Sequence, residues 1–327
     1  MRVLVTGGAG YIGSVMVRML ADEGHDVVVL DNLSRGHRRA VGGVDIAVVN
    51  LEDLSAVTET CRAFQPEACL HFAARSLVAE SVAEPLAYFR TNVGGSLNLV
   101  GALLETDCDL MVFSSSAATY GIPEGSPIVE DAETAPINPY GVSKLMFERI
   151  LKWLSEAGSL SYVSLRYFNA AGADILHDLG EDHDPETHLV PRVIAAALGT
   201  EPSVSVYGTD YPTPDGTCVR DYIHILDLAR AHLLALDYLS SGGPSAVFNL
   251  GNGNGFSVKE VIDVVGRVSG REFDIVNAER REGDPSILVA SSELIKSRLA
   301  WKPEFADLET IIETAWQWHS RHPDGYG

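Results

Sequence analysis

Tyr140 and Lys144 stand four residues apart, a spacing that puts both side chains on one face of a helix. An ammonium beside a phenol stabilises the phenolate and lowers its pKa toward neutrality, so the pair can work as a general acid and base. Ser114-Ser115-Ser116 closes the apolar run Leu110 to Phe113, and a serine hydroxyl at such a point can bond both a phenol and a substrate hydroxyl. A tyrosine that moves a proton in this way serves alcohol oxidation and carbonyl reduction, provided that something nearby exchanges a hydride. The N-terminus supplies a place for that partner. Val3-Leu4-Val5-Thr6 runs into Gly7, Gly10 and Gly13, with a helical pattern following. Glycines there let the backbone turn sharply and approach a pyrophosphate, which rests on the free N–H groups and positive end of the new helix. The spacing is G-x-x-G-x-x-G, and the Lys-Ser/Thr ending of a nucleoside-triphosphate loop is missing. Asp31 closes the second strand, where a carboxylate accepts both hydroxyls of an adenosine ribose and repels a 2′-phosphate, which points to NAD over NADP. Arg35, Arg38 and Arg39 follow it and read as a solvated loop.

The elements that must position these groups alternate. Short strands are expected near residues 2–6, 26–31, 45–49, 68–72, 110–114 and 161–167, with helices near 11–23, 52–64, 82–105 and 139–156. This pattern predicts an α/β fold, a doubly wound parallel sheet of the Rossmann type, whose ligands bind at the carboxyl ends of its strands. Asn138 is placed to cap the fourth helix with Pro139 in its first turn, and Ser257-Val258-Lys259-Glu260 reads as a capping box after the glycine-rich turn Gly251 to Gly255. After Asn169 the regularity decays. Residues 1–170 are expected to form the dinucleotide-binding domain, with later segments returning to it, and 171–327 a smaller mixed α/β domain for the ligand-specific half.

Composition narrows the partners. The 327 residues carry 24 Lys plus Arg against 45 Asp plus Glu, a formal net charge of −21, which disfavours nucleic acid and anionic membranes and requires any phosphate to be held by a few local groups. No apolar stretch is long enough to span a bilayer, and the N-terminus breaks into glycines before any signal-like run can form, so a soluble, cytoplasmic protein is expected. Cys61, Cys69, Cys108 and Cys218 are scattered and read as reduced; the sequon at Asn32-Leu33-Ser34 reads as incidental. His177, Asp182, His183, Asp184, Glu186 and His188 crowd one segment but match no helical H-x-x-x-H pattern, so no metal is expected there.

The segments T-G-G-A-G-Y-I-G-S, S-S-S-A-A-T-Y-G and N-P-Y-G-V-S-K resemble the extended short-chain dehydrogenase/reductase family. R-Y-F-N-A-A-G (Arg166 to Gly172), D-H-D-P-E-T-H-L-V-P (Asp182 to Pro191), D-Y-P-T-P-D-G-T-C-V-R-D-Y-I-H (Asp210 to His224) and R-R-E-G-D (Arg280 to Asp284) are similar to its branch that interconverts UDP-glucose and UDP-galactose. That resemblance implies Tyr140 as acid/base, Lys144 as the residue that tunes it and holds the nicotinamide ribose, and Ser116 on the sugar. It implies NAD held by Gly7, Gly10, Tyr11, Ile12, Gly13, Asp31, Asn32, Asn50, Leu51, Phe72, Ala73, Ala74, Asn92, Ser114, Tyr140, Lys144 and Phe168. For the nucleotide sugar it implies Ser116, Tyr140, Asn169, His188, Leu189, Ser205, Tyr207, Arg220, Tyr222, Arg281, Asp284 and Leu288, with the two arginines neutralising the diphosphate. A homodimer through the helices near 82–105 and 139–156 is also implied. Three positions depart from the pattern: Asn50 stands where an aspartate is usual, Ser76 where some members carry lysine, and Leu288 where a tyrosine or a small residue shapes the sugar pocket. Dehydratase or decarboxylase chemistry would need an acidic residue after the active-site serine, where Ala117, Ala118 and Thr119 stand. A non-catalytic NAD-sensing regulator would typically lack the tyrosine, lysine or serine.

Overall fold

The computed structural model describes residues 1–281 and 283–327. Seven strands form one parallel sheet: β1 (Arg2–Thr6), β2 (Asp26–Asp31), β3 (Asp45–Val48), β4 (Ala68–His71), β5 (Leu110–Ser116), β6 (Ser161–Tyr167) and, after four short strands described below, β11 (Ala246–Leu250). Their spatial order is β11-β6-β5-β4-β1-β2-β3, so the chain starts in the middle, winds outward to β3, then reverses through β4 to the other edge. The reversal between β1 and β4 opens a crevice at their carboxyl ends, where ligands of such sheets bind. β1 and β4 are buried on both faces and accordingly read as continuous apolar runs rather than alternating ones.

Helices cover both faces. α1 (Tyr11–Asp22) and, much later, α8 (Ile225–Ser240) cover one; Val15, Met16, Leu20, Leu228, Leu236 and Phe248 share their core. α2 (Leu54–Phe64), α5 (Ser96–Leu104) and α6 (Pro139–Glu156) cover the other, packing around Val57, Leu99, Phe113, Phe147 and Leu151. α6 starts where the sequence places it: Asn138 Oδ1 accepts the Gly141 N–H at 2.8 Å and Pro139 opens the first turn. The single helix expected over 82–105 is broken. α3 (Val78–Ala83) ends at Glu84, whose φ of −127° and ψ of 55° are non-helical before Pro85; α4 (Pro85–Phe89) then widens into a π-helical turn over Arg90–Gly95 before α5. Proline removes an N–H and disfavours helix at the preceding residue, while the apolar periodicity continues across the break.

The smaller unit assembles around α7 (Leu189–Leu198), α9 (Val258–Ser269) and α11 (Leu308–Arg321), with Val193, Ile194, Val261, Val265, Ile311 and Ile312 at its core. Ser257 Oγ accepts the Glu260 N–H while the Glu260 carboxylate accepts the Ser257 N–H, completing the capping box of α9. Short strands surround this core. β7 (Asn169–Ala171) pairs with β10 (Tyr222–His224), β8 (Val204–Tyr207) with β13 (Ile275–Ala278), and β9 (Val219–Arg220) lies between β12 (Phe256–Ser257) and β14 (Ile287–Leu288). α10 (Glu293–Leu299) packs back against β11.

One buried ion pair joins the elements that carry the chemistry. Glu148 on α6 accepts from Arg166 Nε on β6 at 2.9 Å and from Ser115 Oγ on β5, and Arg166 Nη1 reaches the Tyr120 hydroxyl at 2.9 Å. Both charged groups are almost fully buried. Glu148→Ala would strand a guanidinium in the interior and is expected to cost about 3–5 kcal/mol in denaturant unfolding, whereas Arg62→Ala, which breaks the exposed pair with Glu105, should cost less than about 1 kcal/mol. Equal losses in the two variants would remove Glu148 from this structural role.

Candidate active site

The glycines after β1 differ in what they permit. Gly7 has φ of +70°, and a Cβ there would lie 2.5 Å from the Ala73 nitrogen; a Cβ on Gly13 would lie 2.1 Å from the Gly7 carbonyl oxygen. The protein's own backbone therefore requires both. Gly10, in an ordinary extended conformation at the N-terminus of α1, would meet only the Gly7 carbonyl, at 3.4 Å. Its open side faces the space in front of the helix, where a pyrophosphate would use the exposed N–H groups. Asp31 ends β2 with one carboxylate oxygen accepting the Ala9 N–H at 3.0 Å and the other the Leu33 N–H at 2.8 Å. Each oxygen keeps a lone pair for a ribose hydroxyl. Arg35, Arg38 and Arg39 are all exposed, as expected of a solvated loop; Arg35 also bonds the Asp184 carbonyl and Arg39 the Tyr326 carbonyl.

Other residues expected along the cofactor divide by what their polar atoms already hold. Tyr11 donates its hydroxyl to the Gly172 carbonyl at 2.6 Å, tying α1 to the segment after β7. Asn32 Oδ1 accepts from Ser34, and Asn50 Oδ1 from the Glu52 N–H. Asn92 is buried and spends its amide on Arg75 and Ser143 Oγ, so it fixes the loop after β4 to α6. Phe72, Ala73 and Ala74 line the start of that loop half-buried, as do Ile12 on α1 and Phe168 after β6; Leu51 is buried beneath Gly95.

Ser116, Tyr140 and Lys144 are all buried at the carboxyl edge of the sheet. Tyr140 sits in the first turn of α6; burial pushes its pKa up, and a hydrogen bond with the Ser116 hydroxyl partly offsets that. Lys144 Nζ donates to the Ser114 carbonyl at 2.7 Å and lies 5.9 Å from the Tyr140 ring centre. Burial brings the Lys144 pKa down to about 7, against the opposing pull of Glu148. Desolvation by burial is the largest influence on both groups. Ser114 Oγ is spent on the Tyr167 hydroxyl at 2.5 Å.

The residues expected at the nucleotide sugar fall into local groups. Arg281 lies over the Tyr207 ring, 3.9 Å from guanidinium carbon to ring centre, and a hydrogen bond from Arg281 lowers the Tyr207 pKa, with Ser205 contributing. Arg220 pairs with Asp284, and Leu288 lies directly across from Arg220 in the β9–β14 pair. Asn169 Nδ2 donates to the Asp221 carbonyl at 2.9 Å, and Tyr222 is buried next door. Leu189 opens α7. His188 differs from expectation: its Nδ1 faces Glu181 and Glu186, each at 2.9 Å, and is committed to that acidic pair. Asp221 is a support that motif reading passed over. It is fully buried, and its carboxylate accepts the N–H groups of Asn252, Gly253 and Ala290, holding the glycine turn and β14 to β9.

Fold and site together define a dinucleotide-dependent enzyme of the Tyr/Lys/Ser kind, built on a doubly wound sheet with a second, smaller core formed by later segments of the chain. Residues 3–251 match the NAD dependent epimerase/dehydratase family, and the chain belongs to that family. It is 50% identical over 326 residues to the UDP-glucose 4-epimerase of Halalkalibacterium halodurans, covering 100% of this chain and 98% of that protein. A solved structure of UDP-glucose 4-epimerase from Brucella ovis in complex with NAD superposes with a TM-score of 0.94 at 48% identity, covering 97% of each chain. A third relative, the Bifidobacterium longum UDP-glucose 4-epimerase in complex with NAD+ and UDP, gives 0.94 at 35% identity over 100% of both chains. NAD is the cofactor, and the open face of Gly10 together with the unused lone pairs of Asp31 fits it. Gly10→Ala should fold with near-normal stability yet lose NAD, whereas Gly13→Ala should lose about 1–3 kcal/mol of stability from the forced overlap. Thermal melts with and without added NAD separate the two; a Gly10→Ala protein that keeps its cofactor would contradict the pyrophosphate assignment.

Proposed function

We propose that the chain interconverts UDP-glucose and UDP-galactose through a 4-keto sugar. The observation that carries this reading is the burial of Tyr140, Lys144 and Ser116 together at the sheet edge that also bears the Gly10 and Asp31 cradle. NAD, when bound, supplies a reversible hydride acceptor. Tyr140 takes the proton of the sugar 4-hydroxyl as that carbon is oxidised and returns it when the carbonyl is reduced; Ser116 orients the same hydroxyl. Inversion requires the keto sugar to present its other face, so the UDP must stay anchored while the sugar turns. Arg220 and Arg281 are proposed to hold the diphosphate, each already oriented by a partner, Asp284 and the Tyr207 ring. Ala117, Ala118 and Thr119 follow Ser116, so no acidic side chain stands directly after the active-site serine where elimination chemistry would use one.

UDP-galactose incubated with the purified protein should give UDP-glucose with no added NAD, because each turnover restores the cofactor. Tyr140→Phe should lower kcat by about a hundredfold or more while NAD and UDP still bind. A phenylalanine variant within a few fold of wild type would transfer the acid/base role elsewhere.

Leu288 tunes sugar breadth in this reading. It is half-buried opposite Arg220, larger than glycine and narrower than tyrosine. UDP-N-acetylglucosamine should turn over measurably but less well than UDP-glucose, with Leu288→Gly narrowing the gap and Leu288→Tyr widening it by roughly 1–3 kcal/mol in relative kcat/KM. If the ratio of acetylated to plain substrate is the same in all three proteins, Leu288 only packs.

We further infer a homodimer in the cytoplasm. The apolar stripe over 82–105 divides: Val93 and Val100 are buried, while Val82, Leu86 and Leu97 are exposed together with Met146 and Trp153 of α6, the last 72% exposed. An exposed apolar face of that kind marks an interaction surface. The four cysteines are free, and no helix among the described residues is long and apolar enough to cross a membrane. Light scattering at micromolar concentration should give twice the chain mass and, for Leu86→Glu, the chain mass alone; a monomeric wild type would refute the dimer.

A further inference from the structure

The loop between β7 and α7 brings together four groups that the chemistry above leaves unused. Glu181, His183, Glu186 and His188 each aim one ligand atom at a common point, and these atoms all lie within 4.8 Å of one another. His188 Nδ1 is 2.9 Å from Glu181 and 2.9 Å from Glu186; His183 Nδ1 is 3.3 Å from Glu181 and 3.5 Å from Glu186. A tetrahedral zinc ion with bonds of about 2.0–2.2 Å separates its ligand atoms by about 3.3–3.6 Å, and the four histidine–carboxylate spacings lie at or a little below that range. These residues match no helical pair: residues 181–188 form an irregular turn through Asp184-Pro185, and the turn folds the two histidines, five residues apart, onto the same pair of carboxylates.

We propose that Glu181, His183, Glu186 and His188 form a closed, four-coordinate site for a divalent transition-metal ion of the zinc class. Two neutral imidazoles and two carboxylates carry a charge of −2, which one such ion neutralises, and mixed nitrogen and oxygen ligands suit zinc better than calcium or magnesium. The competing arrangement is a knot of two imidazolium ions paired with two carboxylates. His183 Nδ1 favours the metal: it is buried and makes no hydrogen bond of good geometry, although carboxylates lie 3.3 and 3.5 Å away. A metal would use the lone pair of that same nitrogen. Glu181 is itself almost fully buried, with no cation other than the two histidines beside it.

The site is structural. It has no place in the proton transfer, and it shapes the loop that faces the cofactor lobe. Asp182 and Asp184 protrude from it to meet His37 and Arg35, which follow Asp31, and the His183 ring stands edge-on to Tyr11, 6.3 Å between centres. His188 ends the loop and immediately precedes Leu189. Removing the ion should loosen both the adenosine side of the cleft and the start of α7.

The test uses the full chain, purified without chelator, saturated with zinc and freed of excess by gel filtration. Mass spectrometry of the metal should find one zinc per chain. Exchange with cobalt(II) should give the intense visible bands of a four-coordinate ion, and X-ray absorption should count two imidazole nitrogens. His183→Ala and Glu186→Gln should lose the metal and the bands, and chelation of the wild type should lower its melting temperature and increase NAD release. Zinc retained by His183→Ala at the wild-type level places the ion elsewhere and overturns the proposal. So does folded wild type that retains no zinc, or that gives only the faint spectrum of six-coordinate cobalt; both readouts use the native chain and do not depend on whether the variants fold.

Discussion

The Glu148–Arg166 pair is the constraint on which the geometry of the cleft rests. Two charges buried away from water must satisfy each other closely, and here they do so across three elements: α6, β5 through Ser115, and β6. The alternation of strands explains the division of labour along the serine run. Ser115 and Arg166 are register partners and point to α6, while Ser116 pairs with Tyr167 and Ser114 bonds the Tyr167 hydroxyl on the other face. α6 is therefore held in both rotation and height against the strand tips. Lys144 and Tyr140, one and two turns earlier on that helix, inherit the placement, and Lys144 completes it by bonding the Ser114 carbonyl at 2.7 Å.

A strongly acidic surface and a doubly anionic ligand coexist because the positive groups are local and prearranged. Over the whole chain the excess of carboxylates repels a diphosphate at long range, but that repulsion is screened beyond about 10 Å at ordinary ionic strength. Close in, the N-terminus of α1 offers unpaired N–H groups, and Arg220 and Arg281 are oriented before any ligand arrives. Asp221 matters here without touching a ligand. By accepting three backbone N–H groups it sets the register of β9 and β14, and so the separation of Arg220 from Leu288.

Most of the architecture was legible because it depends on short-range rules. Strand runs, the caps at Asn138 and Ser257, and the glycines after β1 each announce themselves within a few residues, and the structure places them as read. What escaped depends on partners distant in sequence. The helix over 82–105 looked continuous since its periodicity spans the break at Pro85, and the return of α8 and β11 to the large sheet has no local signature. Glu148 and Asp221 carry no local sequence signal; only burial reveals them as anchors. The cluster of His177 to His188 matches no helical spacing, and the convergence of Glu181, His183, Glu186 and His188 comes from a turn that such spacing does not describe.

The electrostatics of the acid/base pair follow from the same burial. Burial pushes Tyr140 up and Lys144 down, so the desolvated site disfavours the charged form of each. For a one-way oxidation this would be a defect, since a permanently ionised phenol would remove protons faster. An interconversion between two sugars of nearly equal energy makes a different demand: the group that takes the proton must give it back within the same turnover. A phenol whose proton is held by desolvation and shared with Ser116 is a competent donor as well as an acceptor. Lys144, with a pKa near 7, can change its own charge state at little cost as the charge in the cleft changes. The packing of α6 on β5 is what buries both groups and shifts their acidities, and the buried ion pair behind it ties those elements together.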